Sequence, residues 1–220
     1  MVAATFLMYS LSLHAMDKEK QVLEIGLGGG SFDMGLHLLK PYVNITAIEN
    51  ESTVVKTAFK WFGVVDSETH HTVLEDGVNF LENALLKGKK YDVVAIDACG
   101  PQSSTIVCPV EAFLTSTVLE TIRNVLTDTG SLVLNLVGDP TMLDKPGKNE
   151  IFEPFESVFP ACVLMHFTDL ENVVVICVPF SLSHIHDLEQ RLNARLSLVI
   201  SRLNLGYVLD GSYITRLYEK

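Results

Sequence analysis

The sequence is short of positive charge. Its 220 residues carry 16 Lys and Arg against 27 Asp and Glu, a formal net charge of -11. Phosphate backbones are bound by clustered basic side chains, so nucleic acid is excluded as the default partner; a basic protein segment or a cationic amine suits this balance better. Cysteine is scarce as well, with four residues at 99, 108, 162 and 177. None stands in a C-x-x-C pair and no His cluster flanks them, which argues against a metal site and against a disulfide framework. Reduced thiols in a cytoplasmic protein are the expectation. No apolar run is long enough to cross a bilayer, so no membrane role is expected. The stretch from Met1 to Met16 is apolar, yet no Lys or Arg precedes it, so the basic start of a secretion signal is missing. A buried helix packed under a sheet is the expected role for it.

What is present is a large apolar fraction, 48% hydrophobic against 20% charged residues, which suits one sizeable core. A single domain is expected, with a leading helix over residues 1–20, a core of sheet and helices over 21–180, and a C-terminal helix and tail over 181–220. Strand and helix patterns alternate almost without pause. Strands are expected at Gln21 to Ile25, Val43 to Glu49, His70 to Leu74, Tyr91 to Ile96 and Ser131 to Val137. Helices are expected from the glycine turn to Leu39, at Ser52 to Phe62 and at Gly77 to Leu86. A long helix should open at Pro109, and a short one should run from Phe152 to Phe159. Ala161 to Phe167 and Asn172 to Val178 read as two strands joined by a tight turn, before a last helix from about Ser183 to Leu205. This order predicts an α/β fold: a mostly parallel, seven-stranded, Rossmann-like sheet with helices on both faces.

The chemistry gathers at strand ends. In such a sheet the ligand lies where the strand order reverses, beside the first strand-to-helix turn. That turn is Gly26-Leu27-Gly28-Gly29-Gly30. Glycines let the backbone turn tightly and let a ligand approach without meeting a side chain. The dinucleotide fingerprint needs glycine at its sixth position, where Ser31 stands, so that pattern fails. The pattern that holds is Glu24-x-Gly26-x-Gly28-x-Gly30. Glu49 closes the second strand, where a carboxylate can accept both hydroxyls of a ribose. Glu75-Asp76-Gly77 follows the third strand, and Asp76 suits a helix N-cap. Asp97 closes the fourth strand at the ligand-binding edge, which makes it the candidate catalytic residue.

These segments resemble the spermidine-synthase-like group of class I S-adenosylmethionine-dependent methyltransferases. The resemblance runs through the glycine turn, Ala47-Ile48-Glu49, Trp61-Phe62-Gly63, Glu75-Asp76-Gly77, Tyr91 to Asp97 and Leu132 to Val137. It implies S-adenosylmethionine as cofactor, held by Glu24, Gly26, Gly28, Gly30, Glu49, Asp76 and Gly77, with Asp76 on the adenine amine and Asp97 as catalytic residue. One branch of the group transfers an aminopropyl group to a polyamine; the other transfers a methyl group, as does the domain that methylates the amino terminus of translation elongation factor one-alpha. Aminopropyltransferases typically carry an Asp directly after the triple glycine and a second Asp three residues past the fourth-strand acid. Here those positions are Ser31 and Gly100. Both departures favour methyl transfer, since a neutral Ser does not repel the carboxylate of the intact cofactor.

A methyl acceptor must present a lone pair in line with the donor. From reference pKa values, deprotonating a Lys at pH 7 costs about 4–5 kcal/mol and an α-amine only about 1. A protein amine, best an amino terminus, is thus the expected substrate, with Asp97 orienting it and taking its proton. The loop from Ala98 to Cys108, with Gln102, Ser103, Ser104 and Thr105, is expected to border the acceptor. Members of the group usually carry a strand-rich segment before the core, which here begins about twenty residues in. A shortened or divergent member fits that, and a non-catalytic cofactor-binding partner subunit stands beside the aminopropyltransferase as an alternative. The group often dimerises, so a homodimer is expected.

Overall fold

The computed structural model describes residues 1–101, 104–138, 151–168 and 172–219. Its sheet is built from strands whose side chains alternate between two covered faces. In β1 (Gln21–Ile25), Val22 packs into one core and Leu23 into the other; in β4 (Tyr91–Ile96), Val93 and Ala95 face the first core while Val94 and Ile96 face the second. Strands buried on both faces are the mark of a parallel sheet wrapped by helices. The order is β3-β2-β1-β4-β6-β8-β7-β9, where β2 is Asn44–Glu49, β3 His70–Leu74 and β6 Leu126–Gly138. These five strands run parallel. The expected hairpin is present as β7 (Ala161–His166) and β8 (Val173–Val178), with β8 antiparallel to β6.

Two strands join the expected seven. Short β5 (Ile106–Cys108) pairs with the end of β6, and β9 (Tyr213–Glu219) covers the outer edge of β7. The helices are α1 (Asp33–Leu39), α2 (Ser52–Thr57), α3 (Gly77–Leu86), α4 (Ser116–Val125), α5 (Glu153–Val158), α6 (Leu188–Arg202) and the single turn α7 (Gly206–Leu209). A π turn, Ala58–Phe62, continues α2 and stops at Gly63 in the left-handed conformation. That is the C-terminal glycine stop expected there.

Four expectations need correction. The leading stretch is buried, with Phe6, Leu7 and Leu11 fully covered, but only Val2–Phe6 is helical, as one 3-10 turn. Left-handed Tyr9 breaks the helix, and side chains strap the segment down instead. Arg195 donates to the Phe6 carbonyl at 3.2 and 3.1 Å, and Ser10 donates to Ser131 at 2.9 Å. Secondly, Pro109 does not open a long helix. A 3-10 turn at Glu111–Leu114 comes first, and α4 starts afresh because the Thr115 hydroxyl caps Val118 N–H. Thirdly, the last helix begins at Leu188 rather than Ser183, after left-handed Asp187. Finally, the cysteines are not free thiols: Cys99 pairs with Cys108 and Cys162 with Cys177. The second pair forms because both residues stand opposite each other on β7 and β8, with Cα atoms 4.1 Å apart.

Candidate active site

The carboxyl ends of β1, β2, β3 and β4 lie side by side, and the residues leaving β1, β3 and β4 extend the ladder before the chain turns. Gly26 N–H donates to the Ile48 carbonyl at 2.9 Å, Glu75 N–H to that of Glu49 at 3.0 Å and Asp97 N–H to that of Ile25 at 2.8 Å. This row sets the candidate residues along one edge, next to the point between β1 and β4 where the chain direction of build-up reverses. Gly26 must be glycine: its φ is +98°, and a Cβ there would stand 2.5 Å from the Asp97 carbonyl oxygen. Gly28, at φ +52°, faces open space instead, which leaves its backbone bare toward a ligand.

A cavity of about 480 Å³ opens over this edge. Gly26, Gly28, Glu49, Asp76, Gly77 and Asp97 all line it, as do Ser31 and Phe113. Glu49 is held rigidly: one oxygen accepts from Leu27 N–H at 3.2 Å, the other from Glu51 N–H at 2.9 Å. Asp76 does cap its helix, accepting from Asn79 N–H at 2.9 Å, and still borders the cavity. The N-cap reading of that residue holds, and its place on the cavity wall leaves it open to a ligand. Glu24 and Gly30 do not line the space. Glu24 lies behind the glycine turn, 1% exposed, and its Oε2 has no hydrogen-bond partner. Burial pushes its carboxyl well above the usual range, and the nearby charges of Asp33, Asp97 and Glu49 push it further.

A second cavity of about 240 Å³ shares Ser31 and Asp97 with the first. Asn135 and Asn172 complete its polar wall. Asn135 Nδ2 donates to Asp97 Oδ1 at 2.8 Å, and Asn172 Nδ2 donates to Asn135 Oδ1 at 3.0 Å. Neither asparagine stood out as a site residue in the sequence. Asn135 had a signal, since it is the one polar residue in the apolar run Leu132 to Val137. Asn172 follows no pattern. The loop after Asp97 is divided: Cys99 lines the first cavity, whereas Ser104 and Thr105 line a separate one of about 540 Å³ across Val110. Gln102 and Ser103 lie outside the described residues.

The chain matches no family profile. It is 30% identical over 162 residues to the eEF1A lysine and N-terminal methyltransferase homolog of Drosophila melanogaster, an alignment covering 73% of this chain and 24% of that protein. The chain thus spans about a quarter of the length of that relative. Among solved structures, human Methyltransferase-like protein 13 in complex with SAH superposes with a TM-score of 0.79 at 22% identity, covering 92% of this chain and 90% of that one.

The fold is that of the spermidine-synthase-like class I methyltransferases.

Spermidine synthase from Thermotoga maritima shares this fold more distantly, with a TM-score of 0.57 at 18% identity over 91% of this chain and 75% of that one. Among the described residues no helix is long and apolar enough to cross a membrane.

Proposed function

We propose that this chain is an S-adenosylmethionine-dependent methyltransferase acting on a protein amine. The observation that carries the reading is the pairing of two cavities through Asp97: a glycine-floored space with Glu49 and Asp76 on its wall, and beside it a polar space closed by Asn135 and Asn172. The residues fit this cofactor. Glu49 suits ribose hydroxyls, Asp76 the adenine amine, and the bare backbone of Gly26 and Gly28 a close approach. Glu24 lies behind the glycine turn with Oε2 buried and unpartnered, and a cation held in the cavity would favour its ionised form. When bound, the cofactor supplies a methyl group on a sulfonium.

The remaining work falls to the chain. The second cavity admits an amine beside Asp97, whose carboxylate orients the nitrogen and accepts its proton. The Asn135 amide fixes one carboxylate oxygen and leaves the other for the amine. Ser31, present in both cavities, is neutral where a polyamine-modifying enzyme of this fold carries an acid, which favours the intact cofactor over its decarboxylated form. The names of the relatives support a protein amine as acceptor. A single domain, a cytoplasmic location and a homodimer belong to the same proposal.

Asp97→Asn tests it. The variant should bind S-adenosylmethionine with wild-type affinity by calorimetry and lose methyl transfer to a peptide amino terminus, by roughly the 10²–10⁴-fold that a positioned general base contributes. Unchanged turnover overturns the role of Asp97. Preference for the decarboxylated cofactor, or for NAD, overturns the reading as a whole.

A further inference from the structure

Cys108 stands nine positions after Cys99, and nothing in that spacing marks a metal site. The fold supplies what the spacing lacks. The segment leaving β4 doubles back as β5, with Gly100 N–H donating to the Val107 carbonyl at 2.7 Å, and this brings both sulfurs beside Asp97. The carboxylate and the two sulfurs lie within 4.8 Å of one another, the one such trio among the described residues. Cys99 Sγ stands 3.9 Å from Asp97 Oδ1.

We propose that Asp97, Cys99 and Cys108 form a redox-gated zinc site at the wall of the cofactor cavity. Two thiolates and one carboxylate make a donor set for a borderline-soft divalent ion; calcium and magnesium take oxygen ligands instead. Tetrahedral zinc, with bonds of about 2.3 Å to sulfur and 2.0–2.2 Å to oxygen, sets its ligand atoms roughly 3–4 Å apart. The sulfur-to-carboxylate spacing already meets that. The sulfurs meet it once their bond opens, because Cys99 is exposed and free to swing while Cys108 is anchored by burial. The fourth position faces the cavity and is left to water.

The disulfide is the gate, since sulfurs bonded to each other are not thiolates. A dithiol reductant exchanges with it: two protons and two electrons pass to Cys99 and Cys108, and the reductant leaves as its own disulfide. Zinc then binds and displaces the two thiol protons. Cys99 at the cavity wall gives the reductant access. The Cys162 and Cys177 pair lies in the core, at most 1% exposed, and stays out of this exchange. One consequence rests on the methyltransferase reading: a carboxylate held by zinc no longer receives an amine, so zinc inhibits the reduced protein in competition with the acceptor.

The test uses the full chain, oxidised or reduced with dithiothreitol and desalted, incubated with zinc chloride and passed through gel filtration. About one zinc per chain should remain on the reduced protein and less than about a tenth of that on the oxidised one. With cobalt in place of zinc, the reduced protein should show thiolate-to-cobalt charge-transfer absorption. Cys99→Ser and Cys108→Ser should each abolish that signal, and Cys108→Ser, at a residue that does not line the cofactor cavity, should bind S-adenosylhomocysteine as before. Zinc absent from the reduced chain overturns the site, as does equal zinc on the oxidised chain or on the two serine variants. Metal content is read without turnover, so a failure of the methyltransferase reading and a failure of the zinc site give different results.

Discussion

Asn135 holds Asp97 by one oxygen, its Nδ2 donating to Oδ1 at 2.8 Å, and is itself held by Asn172 at 3.0 Å. Asp97 follows β4, Asn135 lies on neighbouring β6, and Asn172 immediately precedes β8, next in the sheet. A relay of amides across three adjacent strands thus fixes one carboxylate. An amide can donate to that carboxylate but cannot take a proton from it, so the arrangement orients without competing for the acceptor's proton.

Asn135→Ala removes the donor and leaves Asp97 free to rotate. A hydrogen bond to a charged group contributes about 1.5–3 kcal/mol, so methyl transfer should fall roughly 10–100-fold. Cofactor affinity should stay within about twofold, since Asn135 lines the second cavity and not the first. Asn135→Asp sets a like charge beside Asp97, raises its pKa and should move the pH–rate profile upward. Single-turnover rates on a peptide amine measure both variants; a rate equal to wild type for Asn135→Ala would show that the amide does not position the acid.

Glu49 makes two backbone contacts and still faces the cavity. In Glu49→Gln one oxygen remains, but the amide nitrogen now confronts a backbone N–H, donor against donor. Affinity for S-adenosylhomocysteine should weaken about 10–100-fold, the equivalent of roughly 1.5–3 kcal/mol for one charged hydrogen bond and a disturbed turn. Calorimetry reads this directly, and an unaltered Kd removes Glu49 from the cofactor site.

Glu24 separates stability from binding. Its folded pKa lies above the unfolded value near 4.3, through burial first and then the charges of Asp33, Asp97 and Glu49. The folded state therefore prefers the protonated carboxyl, and this group takes stability away as pH rises above the unfolded value. Glu24→Gln should accordingly raise the urea midpoint of the empty protein at pH 8, with the gain fading toward pH 4. The same variant should bind S-adenosylmethionine more weakly, because a bound cation favours the ionised form that Gln cannot adopt. Equal midpoints for variant and wild type at pH 8 would mean that folding does not raise the Glu24 pKa.

Most of the strand edge under the first cavity was legible in the sequence because parallel strands announce themselves. Val93 to Ile96 is an unbroken apolar run ended by an acid, and Gln21 to Ile25 runs straight into glycines. Such runs fix both the strand and the end at which its closing acid or glycine stands. What stayed hidden depends on distant pairing. The leading segment reads as helix by composition, yet its place is set by Arg195, which is 189 residues from Phe6. The cysteine pairs depend on the register of β7 against β8 and on the return of β5, neither of which spacing encodes. Asn172 gains its role only because β8 lies beside β6.

The last relationship concerns pH. His70 Nε2 lies 2.8 Å from Asp33 Oδ2, both side chains fully buried, and His70 Nδ1 lies 3.0 Å from the Val65 carbonyl. The pair ties the start of β3 to the start of α1, immediately behind the glycine turn. Burial alone would lower the imidazole pKa, but the hydrogen bond and charge of Asp33, the Val65 carbonyl and the charge of Asp66 outweigh it and raise it. A raised histidine pKa contributes stability that is fully present below the unfolded value of about 6.5 and lost as pH rises through the folded value. His70→Gln keeps a donor toward Asp33 and removes the positive charge. It should cost about 3–5 kcal/mol at pH 6, the range for an interrupted buried ion pair, and less at pH 9, because rising pH favours the neutral ring. Urea unfolding at the two pH values measures the difference; a cost independent of pH would show that His70 is uncharged in the fold and acts only as a hydrogen-bond donor.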